Sequence, residues 1–223
     1  MKILAFDTST EYCSVALWQD GAESGRCEHV GQRHSEVLIP MLDDLLRNAG
    51  IRLADLDGIA FGAGPGSFTG VRIACSAAQG LALGADKPVV GICTLQALAE
   101  DAGGDRVIAV LDARMAEVYY AAYEKRQGTW HTVHEPELCL PQQAPAVGGA
   151  GWAGAGSGFL AHGPQLRERY AANLSAVADQ AVPQAAAIAR LAAPRFAAGL
   201  GVHAAEATPL YLRDKVALKT SER

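Results

Sequence analysis

Gly62-Ala63-Gly64-Pro65-Gly66-Ser67-Phe68-Thr69-Gly70-Val71-Arg72-Ile73-Ala74 is the stretch whose reading decides the fold. A short apolar run, Gly58 to Phe61, enters it, and a long run of small apolar residues, Val71 to Leu83, leaves it. That pattern predicts strand, glycine-rich turn, helix. Four glycines fall within nine positions, which calls for backbone angles or close approaches that a Cβ would forbid. Pro65 fixes its own φ, so the loop is shaped as well as permissive. Ser67 and Thr69 can cap the helix. Gly64, Pro65, Gly66, Ser67, Thr69 and Gly70 therefore form a structural loop that is either a tight connection or an anion or partner site at a helix N-terminus. No Gly-Lys-Ser/Thr follows, so it is not a P-loop, and its third glycine is out of step with the dinucleotide fingerprint.

Upstream, Ile3 to Phe6 reads as a buried strand, Asp7-Thr8-Ser9-Thr10-Glu11 as a polar turn, and Cys13 to Trp18 as a returning strand. Asp20-Gly21 is a hairpin turn into a third strand, Gly25 to Val30. The first helix starts at His34-Ser35-Glu36 and stops at Gly50. At about 100° per residue its apolar side chains cover roughly 200°, and so do those of the helix after the glycine loop. One sheet needs about half of that. We read these helices as covered twice. Either they pack tightly inside one chain or they form a helix-bundle interface with a partner. The interface would use Leu38, Met41, Leu42 and Leu45 with Phe68, Val71, Arg72, Ala74, Cys75, Ala78 and Leu81.

Lys87-Pro88 leads into a strand at Val89 to Ile92 and a helical segment at Thr94 to Ala102. Gly103-Gly104 marks a lobe boundary, giving lobes of 1–103 and 104–223. In the second lobe, Arg106 to Leu111, Glu117 to Tyr123 and Thr129 to Val133 read as strands. Pro136, Pro141 and Pro145 then break the chain. Gly148 to Gly158 reads as a structural turn or a glycine strand-turn motif. Pro164 to Ala172 and Pro183 to Gly199 read as helices, the second able to pack back on the first lobe.

At 223 residues the chain can bury a real core. A net charge of −5 argues against a free-standing nucleic-acid binder. Five widely spaced cysteines without a C-x-x-C pair indicate buried thiols in a reducing compartment, not a disulfide frame or a zinc knuckle. No signal peptide or membrane-spanning run is read, so the expected location is the cytoplasm. The helix Thr94-Leu95-Gln96-Ala97-Leu98-Ala99 holds no histidine or carboxylate, and no two histidines are placed to share a metal. No catalytic or metal-binding residue is assigned.

Strand, Asp-Thr-Ser turn, strand at the N-terminus resembles the first phosphate motif of the actin, sugar-kinase and heat-shock ATPase superfamily. More specifically, Gly64-Pro-Gly-Ser-Phe-Thr-Gly-Val-Arg-Ile73 resembles the signature of the TsaB (YeaZ) family. Phe6 to Ser9, His34 to Glu36, Leu111 to Arg114, Glu117 to Tyr119 and Tyr211 to Arg213 extend the likeness over nearly the whole chain, and the tail Pro209 to Val216 also resembles the family's C-terminal end. The resemblance implies an α/β, two-lobed actin-like ATPase fold with mixed sheets flanked by helices. It implies a non-catalytic partner of TsaD in forming threonylcarbamoyladenosine at tRNA position 37, and TsaE as a further partner. It also implies a homodimer without TsaD and tRNA contact only through the complex. TsaD carries a metal-binding histidine pair on the helix matching Thr94 to Ala102, where this chain has none. Asp7, Thr8, Ser9 and Thr10, with Gly154 and Gly156, would be the nucleotide-facing residues if ATP or ADP with magnesium binds, alone or at a partner interface. A stand-alone ATPase or kinase is the alternative, and a metalloprotease lacks its ligands.

Overall fold

The computed structural model describes residues 1–213. Asp214 to Val216, the end of the tail singled out above, lie outside the described residues. The strands are β1 (Lys2–Asp7), β2 (Tyr12–Gln19), β3 (Ala22–His29), β4 (Gly58–Gly64), β5 (Val89–Cys93), β6 (Arg106–Arg114), β7 (Glu117–Arg126), β8 (Thr129–Cys139), β9 (Trp152–Ala155) and β10 (Leu174–Ala178). The helices are α1 (His34–Ala49), α2 (Phe68–Ala85), α3 (Thr94–Ala102), α4 (Ser157–Ala161), α5 (Gly163–Arg169) and α6 (Ala185–Ala197).

Two five-stranded sheets result, ordered β3-β2-β1-β4-β5 and β8-β7-β6-β9-β10. Each begins with an antiparallel meander of three strands, and each adds two strands parallel to the first. The two sheets therefore have one topology. β1 and β4 are buried on both faces, so they read as unbroken apolar runs rather than alternating ones.

One face of the first sheet is covered by α1 and α2, the other by α6. The chain therefore comes back from the second sheet to cover the first. α3 sits between the sheets: Ala97 joins the core under α6, while Leu95, Leu98 and Ala99 join the core of the second sheet. That double contact explains why Leu95, Ala97, Leu98 and Ala99 are all fully buried. Glu100 on α3 accepts from Trp130 Nε1 (2.6 Å), Lys125 Nζ (3.0 Å) and Arg190 Nε (3.0 Å), tying β7 and β8 to α6.

Three elements depart from the sequence reading, one of them α4, a short helix that begins inside the Gly148 to Gly158 stretch read as a turn. β8 runs through Pro136 to Cys139, beyond the predicted end at Val133. It is an edge strand, where a missing N–H costs no ladder bond on the open side. β10 was not predicted at all: Leu174 to Ala178 alternates weakly, and its pairing with β9 gives it its identity. Among the described residues no helix is long and apolar enough to cross a membrane.

Candidate functional site

The glycine loop is folded onto the turn between β1 and β2. Thr8 Oγ1 donates to the Gly70 carbonyl at 2.7 Å, and the Ser67 N–H donates to the Ser9 carbonyl at 2.7 Å. Ser9 donates to Asp7 Oδ1 twice, from its N–H (2.9 Å) and its hydroxyl (2.8 Å). Two glycines show why the loop must be bare. A Cβ on Gly70 would lie 1.9 Å from the Thr8 carbonyl oxygen, and one on Gly62 would lie 1.8 Å from Asp7 Oδ2. The glycines permit close approach of the chain to itself. Ser67 caps α2 by accepting from the Gly70 N–H.

The residues read as nucleotide-facing are placed as follows. Asp7, Thr8 and Ser9 are fully buried, and both hydroxyls are spent within the chain. Of the six residues assigned, Ser9 and Thr10 line the cleft between the lobes. At Gly154 a Cβ would meet the Phe159 ring at 2.6 Å, and at Gly156 it would meet the Val110 carbonyl at 2.4 Å. Both are packing glycines in the second lobe. Asp7 stands out electrostatically: burial pushes its carboxyl up to about 6, against the pull of the two Ser9 hydrogen bonds. Among the described residues its Oδ2 has no hydrogen-bond partner.

The cleft measures about 1140 Å³ and lies between the β1–β2 and β6–β7 turns. Arg114 reaches Glu11 across it at 3.3 Å. Asp112, at the end of β6, lies 3.4 Å from Arg114 and 3.5 Å from His162 Nε2, and its N–H donates to Ser157 Oγ at 3.1 Å. Arg114, Met115 and Ala116 all have left-handed backbones, φ 62°, 55° and 60°. The sequence places a turn at Asp112 to Arg114, but no glycine or asparagine announces its left-handed backbone.

The interface assignment also needs correction. Leu38, Met41, Leu42, Val71, Ala74, Cys75 and Ala78 lie in this chain's own core, Ala74 and Ala78 at 0% exposure. Leu45 and Leu81 pack against that core. The wide apolar arcs are indeed covered twice, but by the sheet, by each other and by Ala204 and Ala207 near the end of the chain. Phe68 and Arg72 are exposed, and the Arg72 guanidinium lies over the Phe68 ring. Exposed positions of the pair include Ile39, Pro40, Asp43 and Arg47 on α1, and Ser76, Gly80, Leu83 and Gly84 on α2 in line with Arg72. Leu83 is 68% exposed and Ile39 48%. A Cβ on Gly80 or Gly84 would meet nothing within 4 Å. His34 is a helix-start residue whose Nε2 lies 3.2 Å from the Tyr12 carbonyl oxygen. Among the described residues no three His, Cys, Asp or Glu side chains are grouped to hold a metal ion.

Residues 27–220 match the family model for TsaD, tRNA N6-adenosine threonylcarbamoyltransferase. The tRNA threonylcarbamoyladenosine biosynthesis protein TsaB of Escherichia coli K12 is 41% identical over 98% of this chain and 97% of its own. The Haemophilus influenzae protein of the same name is 37% identical over 98% and 96%. Among solved structures, YeaZ from Pseudomonas aeruginosa superposes with a TM-score of 0.89 at 39% identity, covering 95% of this chain and 99% of that one. A second Pseudomonas aeruginosa structure, described as an uncharacterized protein with similarity to peptidase YeaZ, agrees equally well. With its two sheets of one topology flanked by helices, this chain has the two-lobed actin-like fold and belongs to the TsaB (YeaZ) family.

Proposed function

We propose that this chain is a non-catalytic partner of a TsaD-class enzyme in forming threonylcarbamoyladenosine at position 37 of tRNA, and that it docks through the outward face of α1 and α2. The observation that carries the reading is Gly80. A glycine inside a helix costs about 1 kcal/mol relative to alanine, and open space around Gly80 gives no reason within the chain to keep it. A second helix lying across Gly80 and Gly84, between Leu83 and Ile39, supplies that reason, because bare backbone lets helices approach closely. In the absence of the enzyme, a second copy of this chain takes the same face. TsaE joins the assembled pair, tRNA meets this chain only within the complex, and the work takes place in the cytoplasm.

The chemistry of the first turn supports a non-catalytic role. The groups that would face a phosphate are engaged in holding the glycine loop. Reconstitution tests the reading. The purified chain is mixed with TsaD, TsaE, threonylcarbamoyl-adenylate and unmodified tRNA, and each protein is omitted in turn. Modification that needs this chain, together with no ATP hydrolysis or modification by the chain alone, is the expected result. Turnover by the chain alone would overturn it.

A further inference from the structure

The segment Ala207 to Arg213 has no regular secondary structure, yet it is bonded to both lobes. On the first lobe the Ala207 carbonyl accepts from Gln79 Nε2 at 2.9 Å and from Cys75 Sγ at 3.4 Å. The Leu210 N–H donates to the Ala63 carbonyl at 2.7 Å, inside the glycine loop. The Tyr211 ring lies 6.2 Å from the Phe68 ring, with the Arg72 guanidinium near both. Two residues later the chain is on the second lobe. Leu212 packs against the core of that sheet. Arg213 is 14% exposed and forms an ion pair with Glu117 at 2.8 Å. It also donates to the Ala113 carbonyl at 3.1 Å and reaches Met115 Sδ at 3.5 Å.

We infer that Ala207 to Arg213 is a latch that holds the cleft between the lobes closed, with Arg213 as its catch. Three features support this. The segment forms part of the cleft wall itself, through Leu210 to Arg213. The catch is a largely desolvated, charge-assisted pair, a class stronger than an exposed ion pair. It closes on a turn with three successive left-handed residues, Arg114 to Ala116, a backbone state that neighbouring structure must hold in place. Releasing Arg213 frees that turn, and with it the Arg114–Glu11 bridge across the cleft. The latch stands whether or not α1 and α2 dock a partner.

The test uses the full chain. Arg213→Glu and Glu117→Arg are made singly and together, and amide hydrogen exchange is followed at Leu210, far along the segment from the catch. Each single variant is expected to speed Leu210 exchange at least tenfold and to raise the radius of gyration in solution scattering. The double variant is expected to return the rate to within threefold of the starting protein. If a charge reversal fails to fold, Arg213→Gln gives the same readout. An unchanged Leu210 rate overturns the latch, and so does a faster Leu210 with no change in the radius of gyration.

Discussion

The turn after β1 and the turn after β6 occupy the same place in two sheets of one topology, but they are built in opposite ways. The first is sealed: Asp7, Thr8 and Ser9 are buried, and a bare glycine loop is pressed against them. The second projects: Arg114 to Ala116 are all exposed in left-handed conformations, and Met115 is 62% exposed. The sealed turn spends its polar groups on the chain itself. The projecting turn offers its own to the cleft and to the C-terminal segment. Equivalent positions in a repeated topology therefore need not keep equivalent chemistry. In this chain the first turn is a packed structural joint, and the exposed, left-handed turn is the second.

The comparison can be broken at the glycine loop, where the largest effect is expected. Gly70→Ala drives a methyl group into the Thr8 carbonyl, and backbone must shift to admit it. We expect a loss of about 3 kcal/mol, at the upper end for overpacking, measured as a fall in the urea midpoint. A loss under 1 kcal/mol would mean that the first turn is not sealed.

Asp7 gives an effect of similar size that depends on pH. Its folded-state value of about 6 lies above the ordinary 3.8, so between those values the folded chain binds the proton that the unfolded chain releases. Stability from this group is present below about pH 4 and is lost as pH rises through 6, amounting to about 3 kcal/mol. Urea unfolding between pH 4.5 and 7.5 should show this slope in the native protein. It should be absent in Asp7→Asn, with all else in the profile kept.

Smaller effects sharpen the contrast. Gly80→Ala should stabilise the isolated chain by about 1 kcal/mol, since α2 gains a better helix former and nothing is displaced. Ala116→Gly should also stabilise, by roughly 1 kcal/mol, by relieving a Cβ at φ 60°. The thermal midpoint reads both. Opposite signs for glycine-to-alanine at Gly70 and Gly80, on one helix, would separate a glycine kept for the fold from one kept for something outside it.

Much of this was legible in the chain. The β4–loop–α2 unit, the β1–β2 and β2–β3 hairpins and α3 follow from turn residues and periodicity, because local signals decide them. The width of the apolar arcs on α1 and α2 was legible too. What covers those arcs was not, because periodicity reports how much surface must be buried and not which element buries it. Ala204 and Ala207 lie more than a hundred residues beyond α2 in sequence, yet they complete that burial. Leu38, Met41, Ala74 and Ala78 were therefore assigned to a partner when the chain itself covers them. The packing of the Asp7 turn was not legible for a similar reason. Small polar residues in a turn look alike whether they face a phosphate or a neighbouring loop, and the glycines that decide between the two stand some sixty positions away.

The central claim is that the outward face of α1 and α2 docks a TsaD-class enzyme. Gly80→Arg tests it most directly, because a Cβ there meets nothing within 4 Å and the side chain leaves the helix into open space. Titration calorimetry with purified TsaD should show binding by the native chain and at least a hundredfold loss in the variant, with an unchanged or higher thermal midpoint. Binding at native strength by a folded Gly80→Arg chain would contradict the account and place the docking surface elsewhere.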